Sequence, residues 1–298
     1  MNRTSPEDEW TLGSPGRAPG RISGVVAVFL RHRLALAGAG ILLLLVLTAV
    51  LAPLLAPHDP FQQNLSRRLE PPSLDHPLGT DEMGRDVLSR IIFGARISLR
   101  VGLVSIFFAL TGGSALGLLS GYRGGIVDTL IMRCMDILLA FPSILLAIVI
   151  VAVTGPGIDN VMLAVSIVLL PQFARLVRAR VLSIREMAYI EAQRALGAGD
   201  LRIILVGVLP NCAAPLIVQS TLSLGTAILD AAGLSFLGLG AQPPMPEWGA
   251  MLSGSRDLLF RAPWVMTFPG LAIFVVVLGL NLFGDGLRDA LDPRHVSL

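Results

Sequence analysis

The sequence is organised around residues 185–211, which read REMAYIEAQRALGAGDLRIILVGVLPN. Ser183 to Leu196 has helical spacing of its apolar residues and few helix breakers, which predicts a helix. The run Gly197-Ala198-Gly199 predicts its end, because glycine adopts left-handed backbone at little cost. Asp200 is a favourable N-cap for a second short helix from Leu201 to Val208.

Pro210 closes this stretch. It disfavours helical backbone at Leu209 and so predicts a bend before the next apolar run. We therefore expect a helix, a sharp turn and a second helix between two membrane-spanning segments. Such a compact protruding element is suited to docking into a groove of a partner protein. An ordinary connector, whose arginines only fix the topology, fits the spacing equally well.

The composition is that of a polytopic membrane protein. The 298 residues are 53% hydrophobic and 15% charged, with a mean hydropathy of +0.72, beyond the profile of a soluble globular domain. All 23 basic residues are arginine and lie scattered between apolar runs, so no nucleic-acid partner is indicated. A phosphate-binding P-loop requires a lysine, which this chain lacks. If ATP powers this protein, another chain hydrolyses it.

Six apolar segments are candidates for crossing a lipid bilayer. They are Leu34 to Leu55, Val101 to Gly121, Ile126 to Val153, Val161 to about Val177, Cys212 to about Leu237, and Pro263 to Phe283. Six spans place both termini on one side of the membrane, and the bias in arginine distribution favours the cytoplasm for that side. Gly113, Gly117 and Gly121 recur every four residues and predict a close helix–helix contact.

Several motifs together resemble the permeases of ABC importers. Glu191-Ala192, Gly197 and Leu209-Pro210 have the spacing of the cytoplasmic loop signature of that family, with Gln193 in place of its second alanine. Four further segments look like the C-type permease of dipeptide, oligopeptide and nickel importers. They are HPLGTDEMGRDVLSRIIFGARISL at 76–99, ILDAAGLSFLGLGAQPP at 228–244, Trp248-Gly249, and GDGLRDALDPR at 284–294. The resemblance covers roughly residues 25 to 294.

This resemblance implies an all-α polytopic membrane protein of six transmembrane helices, with the type I ABC importer permease fold. It implies a permease domain at 97–288. The polar composition of residues 1–20 predicts a disordered cytoplasmic tail, followed by an N-terminal segment at 21–70 that holds the first span. A second cytoplasmic tail is expected at 289–298. The location implied is the bacterial inner membrane, with both termini cytoplasmic.

The implied function is translocation of short peptides by an ATP-driven importer, with nickel chelates or glutathione as alternative cargo. The implied partners are a second, B-type permease, two ATP-binding subunits and a periplasmic or lipid-anchored substrate-binding protein. ATP and Mg would be used by the partner ATPases, so this chain is expected to bind no cofactor and to hold no catalytic residue. The implied coupling residues are Glu191, Ala192, Gln193, Arg194, Gly197, Asp200, Leu209 and Pro210.

Asp230 is the sharpest candidate inside the membrane. A carboxylate at that depth is costly unless it faces water or a partner group. Together with Gln219 and Ser223, it is a candidate for lining the translocation path. A buried structural hydrogen bond is an equally weighted alternative. Trp248 lies in a loop rich in Pro, Trp and Gly, where a short re-entrant element could gate the path or contact the binding protein.

Two other polar groups have simpler explanations. His76 to Asp86 contains potential metal ligands, but their spacing fits no compact site, so we expect a structural loop and assign no metal. Arg133 and Asp136, at i and i+3 in the third span, are predicted to pair with each other.

Two other classes of function are less well supported. An ion-coupled secondary transporter would favour paired intramembrane carboxylates or broken helices in matching halves, whereas Asp230 stands largely alone. An intramembrane enzyme is disfavoured because all four histidines lie outside the six predicted spans. They are His32, His58, His76 and His295.

Overall fold

A computed structural model describes residues 28–291, and the structural statements below concern that range. The tail expected at 1–20 and most of the tail expected at 289–298 lie outside it. The domain limits derived from the sequence stay predictions. Within 28–291 the chain forms helices and no β-strand, apart from one isolated bridge between Thr80 and Asp86.

We number the helices as follows. They are α1 (Arg33–Val50), α2 (Ala52–Leu55), α3 (Val87–Arg123), α4 (Gly125–Ala140), α5 (Ser143–Thr154), α6 (Ile158–Ile184), α7 (Ala188–Ala195), α8 (Asp200–Phe236), α9 (Trp248–Gly254) and α10 (Pro263–Leu291). Short 3₁₀ turns occupy Leu65–Arg67 and Arg256–Leu258.

Five of these helices, α1, α3, α6, α8 and α10, are each long and apolar enough to cross a membrane. A sixth span is possible if α4 and α5 are taken together. This confirms the all-α, six-span prediction in length and composition. The third span is not the single helix predicted from Ile126 to Val153, because α4 and α5 meet at an angle of 97°.

The break lies at Phe141 and Pro142. Both have extended backbone, with φ/ψ of −90°/139° and −55°/131°. The proline ring disfavours helical backbone at the preceding residue and removes a hydrogen-bond donor from the helix. The proline is visible in the sequence, so the sequence contained the signal for this break.

The centre of the molecule is the contact between α3 and α6. Gly113, Gly117 and Gly121 face α6 so closely that added Cβ atoms would collide with its backbone or with the Cβ atoms of its side chains. At Gly113 the added atom would lie 2.7 Å from the carbonyl oxygen of Leu170. Phe173 of α6 is fully buried in the same core. The predicted small-residue ridge is therefore confirmed, and it sets the distance between the two helices.

The other helices pack around this pair. α8 contacts both α3 and α6, while α10 contacts α8 on one side and α1 on the other. Glycine again sets the α1–α10 distance, because a Cβ at Gly279 would lie 2.5 Å from the Ile41 side chain. The bundle thus has two cores joined by α8, one around α6 and one between α1, α3 and α10.

We predict that Gly117→Ala destabilises the chain by about 1–3 kcal/mol, because the new methyl group has no space between two backbones. The measurement is thermal unfolding of the detergent-solubilised chain. Gly40→Ala in α1 is the matched control, since nothing lies within 4 Å of a Cβ at that glycine. Equal unfolding midpoints for the two variants would contradict the assigned role of the ridge.

Candidate functional site

The candidate coupling loop connects α6 to α8. α6 ends at Ile184, a turn follows, and α7 begins at Ala188, so the single helix predicted from Ser183 to Leu196 is wrong. The turn directs Ile190 inward, where its side chain is fully buried against Gly207 of α8. Burial of this one apolar side chain gives α7 its direction across the end of the bundle.

The outer face of α7 is polar and open. Glu191 and Arg194 are exposed, and Leu196 is 87% exposed directly after the helix. Gln193 is half-buried beside Gly207. The outer face of α7 and the residue after it therefore present Glu191, Arg194 and Leu196 on a surface that no residue of this chain covers within 28–291.

Gly197 ends α7 as predicted. Its φ is +82°, a left-handed conformation that favours glycine. The N–H of Gly197 donates to the carbonyl of Arg194 at 2.9 Å, and the N–H of Ala198 donates to that of Gln193 at 3.0 Å. These two bonds form a Schellman motif, which satisfies carbonyl groups at the end of the helix.

Asp200 does not act as the predicted N-cap. Gly199 occupies that position and Asp200 is the first helical residue of α8. Its carboxylate instead accepts a hydrogen bond of 2.6 Å from the hydroxyl of Tyr122, near the end of α3. The guanidinium of Arg194 lies 5.9 Å from the centre of the Tyr122 ring. Asp200 thus fastens the loop to α3, while its charge still favours the start of α8.

The bend predicted at Leu209 is also wrong. Leu209 is helical, with φ/ψ of −58°/−42°, and α8 runs through Pro210 by way of a π-helical segment at Ile203–Val208. A widened turn accommodates the proline, because the proline needs no backbone donor there and nearby carbonyl groups find other partners.

One such carbonyl, that of Gly207, fixes α7 to α8. It accepts hydrogen bonds from the Tyr189 hydroxyl at 3.0 Å and from the Asn211 side-chain amide at 2.8 Å. The Asn211 amide also lies 3.1 Å from the Tyr189 hydroxyl. The three groups form a closed network, so α7 and the start of α8 are expected to move as one body.

Two ion pairs join α4 to α6 near this loop. Asp128 accepts from Nε and Nη2 of Arg178 at 2.5 and 2.6 Å, and also from the Ser120 hydroxyl of α3. Asp136 accepts from Arg175 at 2.6 Å. The predicted pairing of Arg133 with Asp136 is therefore wrong, because α6 brings an arginine to Asp136 from across the helix interface.

The candidate path residues lie along α8. Gln219 donates to the Ser223 hydroxyl at 3.0 Å and lies 3.2 Å from the side-chain oxygen of Gln172 on α6. Asp230 follows two turns later and is half-buried. Sequence reasoning missed Gln172, although a glutamine directly after Pro171 in an apolar span was a visible signal. Their role in translocation stays a prediction.

Within residues 28–291 no protein group donates a hydrogen bond to the Asp230 carboxylate. The alternative role, a structural hydrogen bond, therefore has no donor in the described part of this chain. A carboxylate inside a membrane bundle is costly without a partner. The position of Asp230 favours contact with water or with a partner subunit.

Trp248 begins α9, a short helix in the loop before α10, where the sequence suggested a short re-entrant element. Its side chain is only 2% exposed, and its indole N–H donates to the Ile91 carbonyl of α3 at 3.0 Å. The ring lies against Gly94, where a Cβ would be 2.6 Å away. The side chain thus faces the protein interior and offers little surface to a binding protein. Its role as a gate stays a prediction.

Glu247 anchors α9 from the other side. The buried carboxylate caps the helix by accepting from the N–H groups of Gly249 at 3.0 Å and Ala250 at 2.8 Å. Burial raises the pKa of the Glu247 carboxyl, and the two N–H donors oppose that rise. Glu247 thus fixes the first turn of α9, while Trp248 holds that turn against α3.

A family model described as "Binding-protein-dependent transport system inner membrane component" matches residues 113–296. The chain belongs to this family. A second model, the N-terminal transmembrane domain of oligopeptide transport permease C, matches residues 22–72 of this permease.

Curated relatives of the permease match it over most of its length. The dipeptide transport system permease protein DppC of Alkalihalophilus pseudofirmus is 51% identical over 99% of this chain and 95% of its own. The di/tripeptide transport system permease protein DppC of Pseudomonas aeruginosa is 53% identical over 89% and 90%. The glutathione transport system permease protein GsiD of Pectobacterium atrosepticum is 49% identical over 90% and 90%.

Solved transporters share the fold. An inward-facing structure of the MetNI methionine ABC transporter has a TM-score of 0.56 at 21% identity, covering 69% of this permease and 98% of the solved chain. An amino acid ABC transporter has a TM-score of 0.52 at 14% identity, covering 68% and 95%. The permease is therefore a multi-pass inner-membrane component of an ABC importer, which works with further permease, ATPase and substrate-binding components.

The two Arg–Asp pairs allow a matched prediction. The Asp128–Arg178 pair makes two bonds with side chains 19% and 33% exposed, whereas the Asp136–Arg175 pair makes one bond with side chains 48% and 51% exposed. Exposed pairs contribute about 0–1 kcal/mol. We expect Asp128→Asn to lower the thermal unfolding midpoint of the solubilised permease clearly more than Asp136→Asn. The reverse order would show that the Asp128 pair does not stabilise the α3–α4–α6 contact.

Proposed function

We propose that this chain is the C-type permease subunit of an ATP-driven importer of short peptides. The observation that carries the choice of cargo is the 51–53% identity to two permeases named for dipeptides and tripeptides, over about nine tenths or more of both chains. Glutathione, named for the third relative, is itself a tripeptide. Short peptides therefore cover all three relatives, whereas nickel chelates remain the alternative cargo.

The remaining parts of the proposal concern assembly. The partners are a B-type permease, two ATP-binding subunits and a periplasmic or lipid-anchored substrate-binding protein. Both termini lie in the cytoplasm, which puts α7 on the side where ATPase subunits would bind. ATP and Mg are used by those subunits, and this chain binds neither of them and catalyses no reaction itself.

The coupling loop transmits ATPase motion through its attachments. Glu191 and Arg194 present charge to the ATPase, and Leu196 supplies an apolar contact. Three attachments make the loop part of the bundle: the burial of Ile190 under α8, the bonds of Tyr189 to Gly207, and the bond between Tyr122 and Asp200. A push on α7 is therefore passed to α8 and α3 rather than absorbed by a flexible linker.

The path runs beside α8. Gln172, Gln219 and Ser223 form a hydrogen-bonded polar patch on otherwise apolar helices, and Asp230 extends it along α8. Peptide backbones carry hydrogen-bond donors and acceptors, and such amide and hydroxyl groups can bond to them in place of water. Asp230 faces the path or the second permease, where it is solvated or paired.

The test is reconstitution of the full transporter in proteoliposomes with its binding protein, measuring dipeptide uptake and ATP hydrolysis together. Glu191→Arg reverses an exposed charge at the ATPase contact, and we expect uptake to fall at least about tenfold, equivalent to about 1.4 kcal/mol of lost interaction. Asp257→Arg is the control, because Asp257 is also exposed but lies between α9 and α10, away from the loop.

Two outcomes would overturn the proposal. Unchanged uptake by the Glu191→Arg transporter would leave α7 as an ordinary connector. Uptake by this chain without ATPase subunits, driven by an ion gradient, would instead favour a secondary transporter that uses Asp230. Competition by unlabelled dipeptide, glutathione and a nickel chelate in the same vesicles distinguishes the cargo classes.

A further inference from the structure

A second polar centre lies at the far end of α3 from the coupling loop. α3 has 37 residues and is therefore about 55 Å long. Tyr122 contacts the loop at one end, while Asp86 caps the helix at the other. The 35 residues between Asp86 and Tyr122 keep this centre apart from the ATPase contact proposed above.

Three potential metal ligands converge at this end. His58 follows α2, His76 lies in the loop before α3, and Asp86 is the N-cap of α3. Nδ1 of His76 is 2.9 Å from Oδ1 of Asp86, and Nδ1 of His58 is 3.9 Å from Oδ2 of Asp86. One ligand atom from each residue lies within 4.8 Å of the other two. Ligand atoms in a tetrahedral zinc site, with bonds of about 2.0–2.1 Å, lie about 3.3 Å apart, so an ion would draw the three ligand atoms together by up to about 1.5 Å.

The environment of Nδ1 of His58 favours binding of a ligand. It is buried and has no hydrogen-bond partner among residues 28–291, although the ring as a whole is 38% exposed. A buried polar atom without a partner costs free energy. The atom points toward the Asp86 carboxylate, where a shared cation would satisfy it.

Asp86 is held in place for such a role. Its Oδ2 accepts hydrogen bonds from the backbone N–H and the hydroxyl of Ser89, both at 2.7 Å. The Ser89 hydroxyl oxygen in turn accepts from the backbone N–H of His58 at 3.0 Å. Carboxylates that bind metals are usually oriented by outer hydrogen bonds of this kind. One serine thus positions two of the three ligands.

Arg67 occupies the outer side of His76. Its Nη1 lies 3.1 Å from Nε2 of His76, and its Nη2 lies 3.3 Å from Asp75. Because a guanidinium can only donate, the hydrogen of His76 sits on Nδ1 and is donated to Asp86. An ion on Nδ1 requires the other tautomer, so Arg67 must leave Nε2 before the ion binds. Both Arg67 and Asp75 are exposed enough to move, at 41% and 71%.

We propose that His58, His76 and Asp86 bind a zinc ion that fastens the segment 56–86 to the start of α3. Two imidazole nitrogens and one carboxylate are a donor set typical of zinc. The fourth position is open to water from an adjoining cavity of about 150 Å³, which Gln62 and Asn64 help to line. The sequence alone assigned no metal here, because His58 lies outside the His76 to Asp86 motif.

The test is zinc binding by the full-length chain in detergent, measured by competition with a fluorescent zinc chelator. We expect one zinc ion per chain. Loss of an outer-shell partner typically weakens metal affinity about 10-fold to 100-fold. His58→Gln removes a direct ligand and should weaken zinc affinity by at least that much. His32→Gln is the matched control, since His32 also lies near a single carboxylate, Asp289 at 3.7 Å, but has no third potential ligand among residues 28–291. Arg67→Gln should tighten binding, because it removes the competing cation.

Thermal unfolding separates loss of the site from loss of the fold. Zinc should raise the unfolding midpoint of the wild type and of His32→Gln but not that of His58→Gln, whose midpoint without zinc should match the wild type. X-ray absorption of the zinc-loaded chain should show two imidazole nitrogens. Equal zinc affinity of wild type and His58→Gln, or no zinc binding by the wild type at micromolar concentrations, would overturn the proposal. Neither result depends on peptide transport.

Discussion

The backbone contact between α3 and α6 is the constraint on which the rest of the molecule depends. Three glycines on α3 let it approach until the backbone and the Cβ atoms of α6 lie directly against them. In a bilayer, where apolar side chains gain nothing by leaving lipid, such close packing is a main source of helix association. The Asp128–Arg178 pair and the Ser120 hydroxyl then tie α4 to the same two helices. The candidate coupling loop is attached to this unit, because it follows α6 directly and is bonded to α3 through Tyr122 and Asp200.

Short-range contacts tie the loop to the bundle. A single buried isoleucine, a tyrosine hydroxyl on a free carbonyl, and a tyrosine–aspartate bond connect α7 to two long helices. The π-helical turn in α8 leaves the carbonyl of Gly207 available to Tyr189, and in the proposed function this local irregularity is what links α7 to α8. Irregular turns of this type are frequent at functional positions in helices.

The sequence was a good guide where the signal is periodic or local. Hydropathy identified the apolar spans, the glycine repeat identified the central contact, and Gly197 identified the end of α7. It failed where the outcome depends on neighbours that the sequence does not show. Asp136 pairs with Arg175 of another helix instead of Arg133 of its own, and α8 continues through Pro210 because a widened turn absorbs the proline.

The candidate sites show the same difference between local sequence signals and contacts made by distant residues. Gln219 and Ser223, one turn apart, could be grouped from sequence, whereas Gln172 joined them only through the packing of α6 on α8. His58 lies 18 residues before His76, too far for spacing to suggest a shared site. The break at Phe141 and Pro142 was a different kind of failure, because its signal was present but was outweighed by the apolar run around it.

The length of α3 has a consequence for where its first turns lie. A bilayer core about 30 Å thick needs about 20 helical residues, whereas α3 has 37 and its apolar stretch begins only at Val101. The preceding turns, which carry Arg90, Arg96 and Arg100, therefore form a stalk that stands clear of the hydrocarbon. Asp86, which caps these turns, and the two histidines beside it therefore lie in the aqueous compartment, where they can meet dissolved ions.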